Sequence, residues 1–120
     1  MDKPMPRWIA PWLYGVATLH SLFGVVVFWP QWQELARDGL WNTAGVDPTR
    51  AGAVLFLQVG LLVFALAASI AAHGTNWPPR SVGIWLLALT VPSVVVMPES
   101  GYWLILPPAL VLARKRAAKA

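Results

Sequence analysis

The distribution of charge is the feature of this sequence that most constrains its fold. Four stretches contain no Lys, Arg, Asp or Glu: residues 8–33, 51–79, 81–98 and 100–113. Each is long enough, or nearly so, for the ~20 predominantly apolar residues that cross a bilayer. Only 12% of the chain is charged, against about 25% in a typical soluble domain. The pattern predicts an all-α integral membrane protein that forms one domain over residues 1–120.

The predicted architecture is a polytopic bundle of four transmembrane helices, with spans at about 8–29, 51–72, 81–97 and 100–116. PQWQELARDGLW, between the first two spans, has apolar residues at helical spacing, which predicts a short interfacial helix with its charged residues facing elsewhere. Gly39 is available for its C-terminal turn. Asp47 is the predicted N-cap of the second span, with Pro48 at the first helical position. Pro107 and Pro108 are predicted to break the fourth helix.

The basic residues predict the orientation of these spans. Four spans place both termini on one side of the membrane. With the termini inside, seven basic residues are cytoplasmic and two, Arg37 and Arg50, are external. This positive-inside bias predicts cytoplasmic termini. The cytoplasmic set comprises Lys3, Arg7, Arg80, Arg114, Lys115, Arg116 and Lys119.

Polar residues within the spans concentrate in the outer half of the bilayer. At the helical rise, His20 lies ~13 Å and Gln58 ~10 Å from the outer surface, so the two are expected to meet. Small residues share a helix face with His20 in the first span and with Gln58 in the second. Because small residues let membrane helices pack closely, both faces are predicted to point into the bundle. These faces comprise Ala17, His20, Ser21 and Gly24 in the first span, and Ala51, Gln58, Ala65, Ser69 and Ala72 in the second. We expect a cavity open to the outer leaflet, with His20 and Gln58 at its floor.

Two ionisable residues are the catalytic candidates. An ionisable group inside a membrane span is by default a functional candidate, which selects His20, and its near-neutral pKa suits proton transfer. Glu99 is its candidate counterpart near the cavity mouth. The substrate-binding candidates are Gln58, Ser93, Trp103, Trp41 and Asn42.

Each candidate also has a structural interpretation. His20 can serve as a neutral imidazole that ties the first helix to Gln58. Glu99 precedes Ser100, a predicted N-cap, and an acid there is stabilised by the helix dipole. Trp41 and Asn42 fit an interfacial anchor and a turn residue.

Several chemistries are excluded or disfavoured by what the sequence lacks. The chain has no cysteine, so disulfides and thiolate metal sites are excluded. It contains no HExxH motif, nucleotide-binding loop or second intramembrane histidine for haem. We therefore expect no metal and no cofactor. The basic residues lie at segment ends, where they set membrane orientation, so no nucleic-acid partner is expected.

Three short motifs carry a family resemblance: TLHSLFG in the first span, GLWNTAG before the second and PESGYWL at the start of the fourth. With these motifs the chain resembles a family of small bacterial four-helix membrane proteins known mainly as a domain of unknown function. The resemblance implies a compact four-helix bundle in the bacterial inner membrane. It implies no established activity and no catalytic residues.

Three functional hypotheses remain. The first is a membrane enzyme or binding protein for an isoprenoid, sterol-like or quinone-like molecule, with cofactor-free acid–base chemistry such as isomerisation, cyclisation or epoxide opening. The second is a transporter or channel component in which His20 titrates. The third is an accessory subunit that docks a membrane protein partner or a second copy of itself. The clustering of polar residues in the outer half favours the first.

Overall fold

The computed structural model describes residues 3–41, 43–45 and 47–114, and the described part is helical with no strand. The helices are α1 (Ile9–Val27), α2 (Trp29–Asp38), α3 (Pro48–Ala72), α4 (Arg80–Val96) and α5 (Leu106–Ala113), with a 3-10 helix at Gly101–Leu104 between α4 and α5. The all-α class predicted from the charge-free stretches is confirmed. The predicted extension of the fourth span past 114 lies outside the described residues.

Local sequence signals set most helix boundaries where they were expected. Asp47 caps α3, because its carboxylate accepts hydrogen bonds from the backbone N–H groups of Thr49 (2.9 Å) and Arg50 (3.3 Å). Gly39 ends α2 with φ of 89°, a conformation that favours glycine. Ser100 caps the 3-10 helix through the N–H of Tyr102 (3.4 Å).

The fourth predicted span is broken, as its prolines indicated. Pro107 and Pro108 lie in the first turn of α5, and the break itself falls just before them, between Leu104 and Leu106. A proline is tolerated in a first turn because the N–H that it lacks has no intrahelical partner there. The prolines therefore start α5 rather than interrupt it.

The helices pack as two antiparallel pairs, α1 with α3 and α4 with α5, and α1 also touches α5. Gly83 in α4 lies directly against the backbone of Leu112 and Ala113 in α5. A shared apolar core joins the pairs near the N-terminus of α1. It comprises Met5, Ile9, Leu13, Ala67, Ile70, Ile105 and Leu112.

Much of the apolar surface of the helices is exposed. Within the described ranges, two helices, α1 and α3, are long and apolar enough to cross a membrane, and only 22% of the most apolar window of each is buried. The core helix of a soluble protein can be equally long and apolar, but it is mostly buried. α3 is mostly exposed, so it does not fit the description of a soluble core helix. α4 is apolar but shorter, with 17 residues.

Candidate functional site

His20 lies at the contact between α1 and α3 and is partly buried. Its ring stacks on Phe56 of α3, with 3.9 Å between centroids and 8° between planes. Its Nε2 lies 2.7 Å from the backbone oxygen of Phe56. A carbonyl oxygen can only accept a hydrogen bond, so Nε2 carries a proton and donates it. Within the described part of the chain, His20 Nδ1 forms no hydrogen bond.

Two glycines allow α1 and α3 to approach closely at this site. Gly24 lies against the Phe56 ring, where an added Cβ would stand 2.6 Å from Cδ1. Gly60 faces Ser21 and His20, and an added Cβ would stand 3.2 Å from the Cδ2 of His20. The Ser21 hydroxyl is buried at this contact and has no hydrogen-bond partner among the described residues.

Two further aromatic rings pack on Phe56, the ring that stacks on His20. Phe28 and Phe23 lie 5.6 and 6.0 Å from Phe56, measured between ring centroids. Phe23 is largely exposed, so one side of the group opens onto the protein surface. We call His20, Ser21, Phe23, Phe28 and Phe56 the His20 cluster. It places two polar groups in an otherwise apolar, aromatic environment.

The expected pairing of His20 with Gln58 is wrong. Gln58 is exposed and lies two residues from Gly60, about 200° around α3. The face of α3 that packs against α1 contains Gly60 and Ala67, whereas Ala65, which shares the predicted face of Gln58, is exposed. Small residues occur on both sides of α3, and the glycine side permits the closer approach. For α1, the predicted face is confirmed by the burial of Ala17 and Gly24.

The other predicted site residues that the structure describes do not join His20. Glu99 is exposed in the loop before the 3-10 helix, and Trp103 donates its indole N–H to the oxygen of Pro98 (2.8 Å). Ser93 donates its hydroxyl to Leu89 O in its own helix (2.6 Å). Trp41 is 93% exposed. Asn42 lies outside the described residues.

A charged cluster that the sequence reasoning missed fixes α2 to the start of α3. Arg50, whose side chain is 16% exposed, donates to Glu34 (3.0 Å) and Asp38 (2.7 Å) and lies 3.8 Å from Asp47. Hydrogen bonds from Arg37 and then Arg50 lower the pKa of Asp38 below its ordinary value. The spacing of Glu34 and Asp38 by one helical turn was the available signal. These carboxylates face α3, whereas the sequence suggested that they face elsewhere.

The apolar side of α2 packs only in part as expected. Leu35 is buried, and the indole of Trp32 reaches the backbone oxygen of Gly24 (3.4 Å). Ala36 and Leu40 are exposed. The pattern of α2 therefore predicted a helix and two of its apolar anchors.

No three His, Asp or Glu side chains among the described residues form a group that could hold a metal ion. The described residues are all-helical, and among them two helices, α1 and α3, are able to cross a membrane. These two helices pack against each other at the His20 imidazole. Residues 4–119 match DUF6463, a family of unknown function, and the chain belongs to that family. No curated protein and no solved structure matches it.

Proposed function

We propose that the protein is a multi-pass bacterial inner-membrane protein in which α1, α3, α4 and the 3-10/α5 segment all cross the bilayer. Support comes from the exposed apolar surfaces of α1 and α3 and from the seven-to-two distribution of basic residues. Both termini are cytoplasmic in this arrangement. Reporter fusions test this orientation. At the C-terminus, a fused fluorescent protein should fold and a fused alkaline phosphatase should be inactive. At Gly45, between α2 and α3, the alkaline phosphatase should be active and the fluorescent protein should not fluoresce.

Within this membrane protein, the His20 cluster binds an apolar or amphipathic small molecule that carries a hydroxyl group, such as an isoprenoid or sterol-like alcohol. The observation that best supports this function is the hydrogen bond from His20 Nε2 to the backbone oxygen of Phe56. Because that bond places a proton on Nε2, the Nδ1 is an acceptor in the tautomer that carries its single proton on Nε2. An acceptor in a cluster that also includes the exposed Phe23 ring suits a ligand with an apolar body and one polar end.

Binding is supported better than acid–base catalysis. A proton-transfer pair needs both groups within hydrogen-bond reach of one substrate, directly or through one water. Glu99 is exposed in a loop outside the His20 cluster, and Gln58 faces away from it. His20 alone therefore defines the ligand site.

A ligand screen with a matched pair of variants tests this function. In detergent-purified protein, farnesol should raise the thermal unfolding midpoint, whereas the corresponding hydrocarbon without the hydroxyl should raise it less. His20→Phe preserves an aromatic ring against Phe56 but removes the acceptor, so farnesol affinity should fall by about fivefold to tenfold, the loss expected for one hydrogen bond.

Gln58→Leu is the control, because it removes a polar group from the opposite side of α3. It should leave the farnesol response intact. If farnesol and a sterol each shift the unfolding midpoint of His20→Phe as much as that of the wild type, the ligand does not bind at His20.

Docking of a partner subunit is a second candidate, favoured by the exposure of Gln58. An amide that faces lipid is costly unless another helix satisfies its hydrogen bonds. Gln58 belongs to a row of exposed residues along α3 at spacings of three and four: Leu55, Gln58, Leu62, Ala65, Ser69 and Ala72. If the screen is negative and Gln58→Leu lowers the oligomeric mass of the same preparations, docking replaces ligand binding as the function.

A further inference from the structure

A groove of about 340 Å³ lies between the start of α1 and the end of α3, away from the His20 cluster. Its apolar lining includes Met5, Pro11 and Ile70, and Arg7 and Thr75 add polar groups. A backbone hydrogen bond from Met5 N to Thr75 O (2.9 Å) holds the two sides of the groove together. The groove is therefore formed by structured backbone on both sides.

The charge around this groove is positive. Arg7 is exposed and forms no ion pair with any described residue. Lys3 is near the same end, because its backbone oxygen accepts the indole N–H of Trp77 (2.7 Å), and Arg114 lies 5.9 Å from that indole ring. The described carboxylates belong elsewhere, to the α2–α3 cluster and to the loop before the 3-10 helix.

We propose that this groove binds one anionic phospholipid, with Arg7 contacting the phosphate and the apolar lining holding the upper part of an acyl chain. The helix ends that form the groove lie at headgroup level when α1 and α3 span the bilayer, so the inference rests on the proposed membrane placement and not on His20. Charge complementarity selects an anionic headgroup. The apolar lining selects a lipid over a free phosphate.

Titration of detergent-purified full-length protein with short-chain phosphatidylglycerol or phosphatidylcholine tests the site, with bound lipid counted by native mass spectrometry. We expect one phosphatidylglycerol per chain and a higher unfolding midpoint, with little effect of phosphatidylcholine. Arg7→Gln should weaken phosphatidylglycerol binding by about fivefold. Arg37→Gln removes an exposed cation from α2 and should leave phosphatidylglycerol binding unchanged. Ala71→Phe should prevent phosphatidylglycerol binding, because the larger side chain fills the groove.

Three results would overturn the proposal. Equal losses for Arg7→Gln and Arg114→Gln would indicate diffuse attraction to a basic surface. An equal shift with glycerol phosphate would indicate a phosphate site without a role for the acyl chain. Retained binding in Ala71→Phe would place the lipid outside the groove. His20→Phe should bind phosphatidylglycerol normally, and the reporter fusions read membrane placement separately, so failure of either earlier proposal is distinguishable from failure of this one.

Discussion

Replacement of Gly83 by alanine is expected to destabilise the protein by about 3 kcal/mol, toward the upper end of typical overpacking costs. An added Cβ at this position in α4 would overlap the backbone of Leu112 and Ala113 in α5. A flexible side chain could rotate away, but two backbones can separate only if the whole α4–α5 contact opens. Because α5 supplies Leu112 to the shared core, the core would loosen as well.

The measurement is the thermal unfolding midpoint in detergent, followed by tryptophan fluorescence. A loss of this size should lower the midpoint by roughly 10 °C or more. Gly15→Ala is the matched control, since Gly15 lies in α1 and an added Cβ there meets nothing within 4 Å. It should be neutral or stabilising by up to about 1 kcal/mol, the helix preference of alanine over glycine. Equal effects of the two variants would contradict the close packing of α4 on α5.

The helices could be predicted from the sequence because their signals are local. Charge-free stretches located the four apolar segments, and single residues such as Asp47 and Ser100 marked helix starts. Capping depends on residues within one turn of each other, so no tertiary information is needed. The break before α5 followed equally directly from Pro107 and Pro108, although it begins slightly earlier than these residues.

The composition of the site could be predicted only in part, because it depends on which helix faces meet. The small-residue face of α1, on which His20 also lies, was identified correctly, since Ala17 and Gly24 are buried there. For α3, alanines and serine mark one side, while Gly60 and Ala67 mark the other. Composition alone did not decide between them, and the choice depends on how closely backbones can approach. The contact of Phe56 with His20 was missed because it depends on which face of α3 packs against α1.

The Leu104 carbonyl provides a second case in which only the fold supplies the partner. Pro108 has no N–H to donate to this oxygen, so the sequence predicts an unpaired carbonyl in an apolar segment. In the structure the indole N–H of Trp12, 92 residues away, donates to it at 2.6 Å. Trp12 thereby connects α1 to the broken helix. In the membrane placement proposed above, no water would be available to replace this donor.

We expect Trp12→Phe to destabilise the protein by about 2 kcal/mol, the cost of leaving one such carbonyl unsatisfied. Trp8→Phe is the matched control: Trp8 is 41% exposed against 42% for Trp12, and its indole donates no hydrogen bond within the described part of the chain. Unfolding midpoints of both variants in the same detergent measure the difference. Similar losses would assign the effect to ring packing, because the Trp8 and Trp12 rings contact each other edge to face at 6.0 Å.

A double-variant cycle identifies the carbonyl as the cause. Pro108→Ala adds a backbone N–H four residues after Leu104, and because Ile105 already has αR backbone angles, α5 can extend back by one turn and this N–H can bond the Leu104 oxygen. The substitution should therefore recover part of the stability lost in Trp12→Phe. Pro108 is itself buried, and removing its ring from the wild type should cost packing energy. The two substitutions should therefore be less destabilising together than the sum of their separate effects. Strict additivity would mean that Trp12 stabilises the helix junction by contact area alone, and that the orphaned carbonyl is satisfied in another way.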